Sequence, residues 1–246
     1  MPIVTDIRDY EDENGNVIVG APKLSLNAKI IFAARNCRVE IAEGVTIRNC
    51  TINMSSDGGV VRIGRGSTIK SSIRVGLNSS IIIGERLSST GRGIFSAGEG
   101  TTLTIGDDCM FALDVDIRTD HAHPIFDRRT GQRINKSKSL TIGDHVWLGP
   151  SAMVYPGAKV GEGCVIGARS LVNGAIPPNC VAVGVPARVT RRDIVWDKRH
   201  VSAQASRYFD DISTIPRPWQ SEFPVSEEEA PQRIVKRWFG NLLNVR

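Results

Sequence analysis

Two histidines near the middle of the chain are suited to acid–base chemistry. His121 and His123 stand two residues apart, and Pro124 follows directly. A neutral imidazole has a pKa near neutrality, as a general base that takes a proton from an attacking hydroxyl group requires. Pro124 fixes its own φ and restricts His123 to extended backbone. An extended segment would put both rings on the same side, so the choice between them stays open, as does the alternative of a loop histidine bonded to backbone.

Trp147 is a second residue with chemical potential. It directly precedes Leu148 and Gly149, in a region that otherwise avoids aromatic side chains. If Leu148 points into the core, the neighbouring indole must point outward, where its exposure is costly unless it lines a groove. There it can stack beside a substrate, and its N–H can donate to a developing oxyanion. Packing against a loop is the alternative interpretation.

A six-residue repeat must position these side chains. Apolar residues recur at every sixth place over three separate blocks and one shorter pair, and glycine often follows them. This period belongs neither to an α-helix nor to a single strand; it is typical of short strands joined by tight corners, three to a triangular coil. A β-sandwich with coincidental spacing is the alternative. The residues with this spacing are Ile41 and Ile47; Ile63, Ile69, Val75 and Ile81; Ile105, Phe111 and Ile117; and Ile142, Leu148, Val154, Val160, Ile166 and Val172.

Breaks in the repeat predict the domain organisation. Between Ile117 and Ile142 the polar segment TDHAHPIFDRRTGQRINKSKS lacks the pattern, which predicts a loop that leaves the coil. The Gly/Ser-rich stretch 84–102 is either another excursion or four irregular hexapeptides. We expect an N-terminal cap segment over 1–29, a β-helix over 30–189 with its loop at about 119–139, and a tail over 190–246. In that tail, SEEEAPQRIVKRWFGNLLN predicts a short amphipathic helix.

Composition limits the functional classes. Hydrophobic residues make up 41% of the 246 residues, enough for a sizeable core. The net charge of +5 fits an anionic ligand, but the basic residues are scattered and nucleic acid is not expected. The five cysteines have no CxxC spacing and are predicted to be reduced, apolar core residues. Neither a signal peptide nor a spanning apolar stretch is indicated, so we expect a cytoplasmic protein without membrane association.

The segment from Ile105 to Val189 resembles the hexapeptide-repeat acetyltransferases. It resembles the galactoside and maltose acetyltransferase branch and, more closely, the O-acetyltransferases of bacterial capsule and lipopolysaccharide gene clusters, which share HPIFD, GQRIN and IGDHVWLG. The resemblance implies an all-β, left-handed parallel β-helix and a homotrimer with active sites between adjacent subunits. It also implies transfer of acetyl from acetyl-CoA to a sugar hydroxyl of a bacterial surface polysaccharide or its precursor, without a metal.

The resemblance also implies roles for individual residues. The histidine of the His-Pro pair is the base, which favours His123 over His121. Asp114 falls where related enzymes carry a polar residue that faces the acceptor, with Asp116 and Asp120 as nearby alternatives. Apart from the resemblance, the positive charge of the loop suits an anionic glycan, and Arg133 is the loop base expected to contact it. The expected coenzyme-binding residues are Gly149, Ala168, Arg169, Ser170, Asn173, Arg188 and Arg191.

Two departures from the family pattern affect these roles. Pro150 stands where several members offer a backbone N–H to the thioester oxygen, and proline has none, which leaves Trp147 Nε1 as the candidate donor. Gly174 replaces a lysine that contacts phosphate, so Arg169, Arg188 or Arg191 would have to supply the positive charge.

Three other functions fit parts of the pattern. An N-acetyltransferase acting on an amino sugar nucleotide or another small amine would keep the fold, cofactor and base. A γ-type carbonic anhydrase would place His121, His123 and His145 on zinc across a subunit boundary. A catalytically inactive scaffold would only oligomerise.

Overall fold

A triangular prism forms the body of the protein. The computed structural model describes residues 1–201, and its regular elements in this range are strands in three sheets of eight, nine and nine strands. Face A consists of β1 (Ile3–Val4), β5 (Lys29–Phe32), β8 (Thr51–Met54), β11 (Ser72–Val75), β14 (Gly93–Ala97), β17 (Val115–Arg118), β20 (Met153–Val154) and β23 (Leu171–Val172).

The other two faces are built in the same way. Face B consists of β2 (Tyr10–Glu11), β3 (Val17–Val19), β6 (Arg38–Ile41), β9 (Val60–Ile63), β12 (Ser80–Ile83), β15 (Thr102–Ile105), β18 (Leu140–Ile142), β21 (Lys159–Val160) and β24 (Ala175–Ile176). Face C consists of β4 (Leu24–Leu26), β7 (Thr46–Arg48), β10 (Thr68–Ile69), β13 (Ser88–Ser89), β16 (Met110–Phe111), β19 (Trp147–Leu148), β22 (Val165–Ile166), β25 (Val181–Gly184) and β26 (Ala187–Arg191).

The chain visits faces A, B and C in turn, and each coil pairs in parallel with the next. For example, Ile73 lies between Ile52 and Phe95 in neighbouring coils of face A. The predicted architecture, a left-handed parallel β-helix with a loop thrown out of it, is confirmed. Within residues 1–201 no helix has the length and apolar character needed to cross a bilayer.

The six-residue spacing does mark the core. Each of the residues from Ile142 to Val172 with this spacing is at most 3% exposed, because its side chain fills the prism. Upstream the coils are longer than three hexapeptides. Four-residue strands on faces A and B there bury two alternating side chains each, such as Ile73 and Val75. The stretch 84–102 belongs to these coils and contributes the fully buried Phe95, so it is not an excursion.

A stack of left-handed residues forms the edge between faces B and C. His145 occupies one of these corner positions with φ of 52°, and Asp108 precedes it in the stack with φ of 57°. The His145 side chain is nearly buried, and its Nδ1 lies 2.9 Å from Asp108 Oδ2. Small or polar residues tolerate this region best, and the stack comprises Gly44, Gly66, Arg86, Asp108, His145, Gly163 and Asn179.

Antiparallel strands cover both ends of the prism. At the N-terminal end β1 pairs with β5 and β2 pairs with β3, while β26 folds back on β25. These strands occupy edges that would otherwise be open to another chain. The compact unit runs from Met1 to Ile194, so residues 1–29 contribute strands to the same three sheets; the predicted boundaries at 29 and 189 stay predictions.

A second unit begins at Val195. Of this unit, residues 195–201 are described: Trp196 is buried and Arg199 is ion-paired with Asp197. The helix predicted in SEEEAPQRIVKRWFGNLLN lies outside the described residues.

The five cysteines are predicted to resist thiol reagents in the folded protein. All five are buried and free, and burial raises the pKa of the Cys50 and Cys164 thiols to about 12. Since the thiolate is the reactive form, an aromatic disulfide reagent at pH 8 should label the folded protein slowly and the urea-unfolded chain fully. Rapid labelling of Cys50 or Cys164 in the folded protein, located by mass spectrometry, would contradict this burial.

Candidate active site

The histidine loop, residues 119–139, leaves the prism at the edge between faces A and B. β17 ends at Arg118 and β18 begins at Leu140. Lys138 N–H donates to the Thr119 carbonyl at 3.0 Å and closes the neck of the loop. Beyond the neck the loop contains a small hairpin, in which Phe126 pairs with Arg133. The loop is therefore tied to the rigid coils at both ends.

A tight turn presents the two histidines. Asp120 Oδ1 accepts the Ala122 N–H at 2.7 Å, and Ala122 adopts φ of 61°. His123 N–H then donates to the His121 carbonyl at 2.7 Å, which closes a turn of three residues. The expected extended segment is therefore wrong at Ala122, and with it the argument that both rings lie on one side. A non-glycine residue at positive φ is costly and persists only where its surroundings enforce it.

The surroundings of the two imidazoles differ. The His121 ring packs edge-on against Tyr155, with ring centroids 5.9 Å apart. The His123 side chain is exposed, while its backbone is bonded on both sides: its N–H to His121 and its carbonyl to Asn135 Nδ2 at 2.8 Å. His123 therefore combines a fixed backbone with an accessible ring. Neither Tyr155 nor Asn135 was predicted from the sequence, although Asn135 lies in the GQRIN motif.

Arg133, a predicted acceptor contact, forms an ion pair within the chain. Its Nη1 and Nη2 donate to the Glu99 carboxylate at 2.5 Å and 3.0 Å, and the Ser137 hydroxyl donates to the same carboxylate. Hydrogen bonds from Arg133 and then Ser137 lower the pKa of Glu99 from 4.5 to about 2. Because the pKa of Glu99 is lower in the folded state, its ionised carboxylate stabilises the fold. This stabilisation is complete above about pH 4.5 and is lost as pH falls through about 2.

The three aspartates proposed for acceptor binding lie at different places along β17. Asp114 is exposed at the edge between faces C and A, with φ of 57°. Asp116 lies on the outer side of face A and accepts a hydrogen bond from Arg118 Nε at 2.6 Å. Asp120 lies beyond the other end of the strand and is only 6% exposed. Only Asp116 and Asp120 are therefore near the histidine loop, and Asp120 is engaged in the turn.

The seven predicted coenzyme residues divide into two groups. Gly149 and Ser170 are buried: Gly149 N–H donates to the Ile166 carbonyl at 2.8 Å, and Ser170 Oγ accepts the Gly184 N–H at 3.0 Å. These contacts hold neighbouring coils together. The exposed residues are Ala168 and Arg169 at the edge between faces C and A, Asn173 at the edge between faces A and B, and Arg188 and Arg191 on β26.

Trp147 lies on face C and points away from the prism. Its side chain is 36% exposed, while Leu148 is fully buried, as the alternation along the strand predicts. It is in register with Met110 and Val165 in the neighbouring coils, and the same row continues through Val181 to Arg191. In a triangular prism the edge between faces A and B is opposite face C. Trp147 and the root of the histidine loop therefore lie on opposite sides of one protomer.

A three-histidine metal site is not formed within the described chain. His145 lies at the edge between faces B and C and is bonded to Asp108, whereas His121 and His123 lie on the loop at another edge. Among residues 1–201 no group of three or more histidine, cysteine or acidic side chains is arranged to hold a metal ion. The carbonic anhydrase interpretation gains no support from this arrangement.

Comparison with known proteins connects this prism to one family. A family model described as bacterial transferase hexapeptide (six repeats) matches residues 139–174. The polysialic acid O-acetyltransferase of Escherichia coli O1:K1 / APEC is 37% identical over 136 residues, which are 55% of this chain and 44% of that protein. The putative lipopolysaccharide biosynthesis O-acetyl transferase WbbJ of Escherichia coli K12 is 34% identical over 152 residues, 52% of this chain and 77% of the relative.

A solved structure extends the agreement to most of the prism. The polysialic acid-specific acetyltransferase NeuO superposes with a TM-score of 0.68 at 33% identity, covering 79% of this chain and 93% of NeuO. The chain spans less than half the length of the polysialic acid O-acetyltransferase named above, but about three quarters of WbbJ. On the strength of the WbbJ and NeuO alignments, the chain belongs to the bacterial hexapeptide-repeat acetyltransferase family.

Proposed function

We propose that this protein transfers an acetyl group from acetyl-CoA to a sugar hydroxyl of a bacterial surface polysaccharide or its precursor. The observation that carries the proposal is His123, an exposed imidazole whose backbone is bonded on both sides in a loop anchored to a hexapeptide prism. The similarity to O-acetyltransferases of polysialic acid and lipopolysaccharide supports the carbohydrate acceptor. Because acetyl-CoA is the donor, we place the reaction in the cytoplasm.

The proposed chemistry is a direct acyl transfer. The His123 imidazole accepts the proton of the acceptor hydroxyl while the hydroxyl oxygen attacks the thioester carbonyl carbon. The carbonyl oxygen of the tetrahedral intermediate carries a negative charge, to which Trp147 Nε1 donates. When the carbon–sulfur bond breaks, the acetyl group stays on the sugar oxygen, and the imidazolium returns its proton to the coenzyme A thiolate. No metal takes part in these steps.

The proposed site is shared between two copies of the chain. A histidine loop at the edge between faces A and B and a tryptophan on face C can meet one thioester only if they come from different protomers. Cyclic symmetry repeats such a contact around a closed ring, and we propose a homotrimer. The loop carries three exposed apolar side chains that suit burial against a neighbour: Ile125, Phe126 and Ile134, which are 54%, 58% and 65% exposed.

The exposed residues of the predicted coenzyme groove fit the same arrangement. Ala168 and Arg169 lie at one edge of face A and Asn173 at the other, and a neighbouring copy packed along this face would complete a groove that includes all of them. We assign the phosphate-binding role to Arg169, Arg188 and Arg191, whose side chains are exposed at the end of the prism near β26. They compensate for Gly174 at the position where related enzymes carry a lysine.

Acetyl-CoA turnover tests the activity directly. Purified protein is mixed with acetyl-CoA and a panel of acidic and neutral polysaccharides, their monomeric precursors and nucleotide amino sugars, and the released thiol is measured. Thiol release with a glycan, together with a base-labile acetyl ester on the product, supports the proposal. Transfer only to amino groups would establish the N-acetyltransferase alternative instead, and no transfer to any acceptor would contradict both.

Removal of the general base is expected to abolish most turnover. His123→Ala should lower kcat by at least about 100-fold, because general base catalysis typically contributes 10²–10⁴. His121→Ala should have a smaller effect, since that ring packs on Tyr155. His200→Ala is the matched control, because His200 lies outside the loop and is exposed. Retention of wild-type kcat by both loop variants, alone and combined, would remove imidazole catalysis from the mechanism.

A mixed oligomer tests the shared site. Trp147→Phe should lower kcat with little change in the KM for acetyl-CoA, because it removes the indole N–H and keeps an aromatic ring. When Trp147→Phe and His123→Ala chains are co-expressed in equal amounts, about a quarter of the sites should combine both intact residues and regain activity. Mixed oligomers, isolated through two different affinity tags, that are no more active than either variant alone would contradict a site between copies.

A further inference from the structure

The corner Gly98–Thr101, which joins β14 to β15, lies one coil before the histidine loop and contacts its first residues. The Gly98 N–H donates to Thr119 Oγ1 at 3.1 Å, and the hydroxyl groups of Thr101 and Thr119 are hydrogen-bonded at 2.5 Å. Thr101 and Thr119 are both buried, so these bonds form without competition from water. The chain therefore enters the loop in a fixed direction.

Gly98 also makes room for the Asp120 carboxylate. A Cβ at position 98 would lie 2.9 Å from Asp120 Oδ2, closer than such atoms approach. In this space the nearly buried carboxylate accepts the Ala122 N–H and lies 3.5 Å from the Ser96 hydroxyl, with Arg74 Nη2 at 3.8 Å. A buried carboxylate is costly without such partners. The preceding coil, through Gly98 and Ser96, therefore defines the position of the Asp120 carboxylate. This carboxylate in turn accepts a hydrogen bond from the turn before His123.

The same corner holds the other end of the loop. Glu99 binds both Arg133 and Ser137, and the next residue along, Gly100, turns the chain with φ of 72°. Just after the corner, the Thr102 N–H donates to Ser139 Oγ at 3.0 Å. Adjacent residues of a single corner thus contact both ends of an excursion of about twenty residues.

We propose that the corner Gly98–Thr101 anchors the histidine loop, and that Asp120 and Glu99 are positioning residues for the His123 imidazole. Asp120 acts through the turn at Ala122, whose N–H it accepts. Glu99 acts through Arg133, which it binds; two residues after Arg133, Asn135 donates to the His123 carbonyl. The inference rests on the proposed function, because it assigns the imidazole as the base. It goes beyond that function by placing the control of loop geometry in the coil below.

The expected effect of these residues is on turnover and not on coenzyme binding. A displacement of about 1 Å at a reacting group can cost about 100-fold in rate. Asp120→Ala should therefore lower kcat about 100-fold, with the KM for acetyl-CoA changed less than about twofold. Asp120→Asn keeps an oxygen that accepts the Ala122 N–H and should retain kcat to within about 10-fold. Gly98→Ala should fall between them, because it displaces the carboxylate.

Asp57→Ala is the matched control for these variants. Asp57 lies at the same edge of the prism, away from the loop, and its Oδ1 likewise accepts a backbone N–H, that of Arg35, at 2.8 Å. Loss of this bond should leave kcat within about twofold of wild type. If Asp120→Ala changes kcat no more than Asp57→Ala does, the positioning role is overturned.

Limited trypsin digestion gives a readout that does not depend on activity. Arg128 and Arg129 are exposed at the tip of the hairpin. Glu99→Gln, a substitution at an exposed side chain, should speed cleavage there about 10-fold and lower kcat, because the loop is released more often. Unchanged cleavage and unchanged kcat in Glu99→Gln would overturn the proposal that this corner anchors the loop, even if Asp120→Ala failed to fold. If the wild-type protein transferred no acetyl group, the proposed function would fail, and the cleavage rates alone would decide whether the corner holds the loop.

Discussion

Parallel backbone pairing between successive coils is the constraint on which the rest of the molecule depends. Each strand is bonded to the strand one coil below, so the side chains of equivalent residues stack in columns along the prism. Apolar columns fill the interior, from Ile30 near one end to Ala182 near the other. Because every coil is buried by its neighbours, a residue on one coil has a fixed relation to residues one coil away. Stiffness of this kind lets a long loop keep a defined geometry.

The corners between strands cannot use this parallel backbone pairing. Their backbone turns too sharply to continue the ladder, so their polar groups must find other partners, and many find them one coil away. Asp107 Oδ1 accepts the Glu85 N–H, and Asp144 Oδ1 accepts the Asp107 N–H in the same way. The histidine loop uses this general device at another edge. There Thr119 Oγ1 accepts the Gly98 N–H, and the hydrogen bond that normally joins two coils also sets the direction of the loop.

The division of the predicted site between opposite sides of one prism follows from the same regularity. A flat face cannot curve around a ligand, and two concave surfaces formed by the described residues lie away from the histidine loop. The larger, of about 580 Å³, is lined near the N-terminus by residues such as Phe32, Arg35 and Asp57. Neither it nor the smaller cleft beside Glu40 contains a residue predicted to take part in catalysis. In the proposed trimer, clefts form between prisms without deforming any one of them, which suits the proposed reacting groups, His123 and Trp147, on different sides of the prism.

The fold was predictable from the sequence because its information is local and repeated. Six-residue spacing from Ile142 to Val172, glycines after the apolar residues and a polar interruption after Ile117 are enough to indicate coils and a loop. The outward orientation of Trp147 follows from the same alternation. The length of the upstream coils could not be predicted from the sequence. The same six-residue spacing of apolar residues occurs with four-residue strands that bury two side chains and with shorter strands that bury one.

The arrangement of the candidate site depends on contacts between residues that are far apart in the chain. Only the tertiary structure shows these contacts. Arg133 was predicted to contact a glycan, and the structure pairs it with Glu99; Asp120 was predicted as an alternative acceptor contact, and the structure places it nearly buried beside Gly98. Both acceptor roles stay predictions. The positive φ of Ala122 has no local signal, since alanine rarely adopts it; it occurs where the Ala122 N–H donates to the nearly buried Asp120 carboxylate. Residue types and spacing thus indicated the chemistry that is proposed for this chain, and packing of one coil on the next decided how the candidate residues are held.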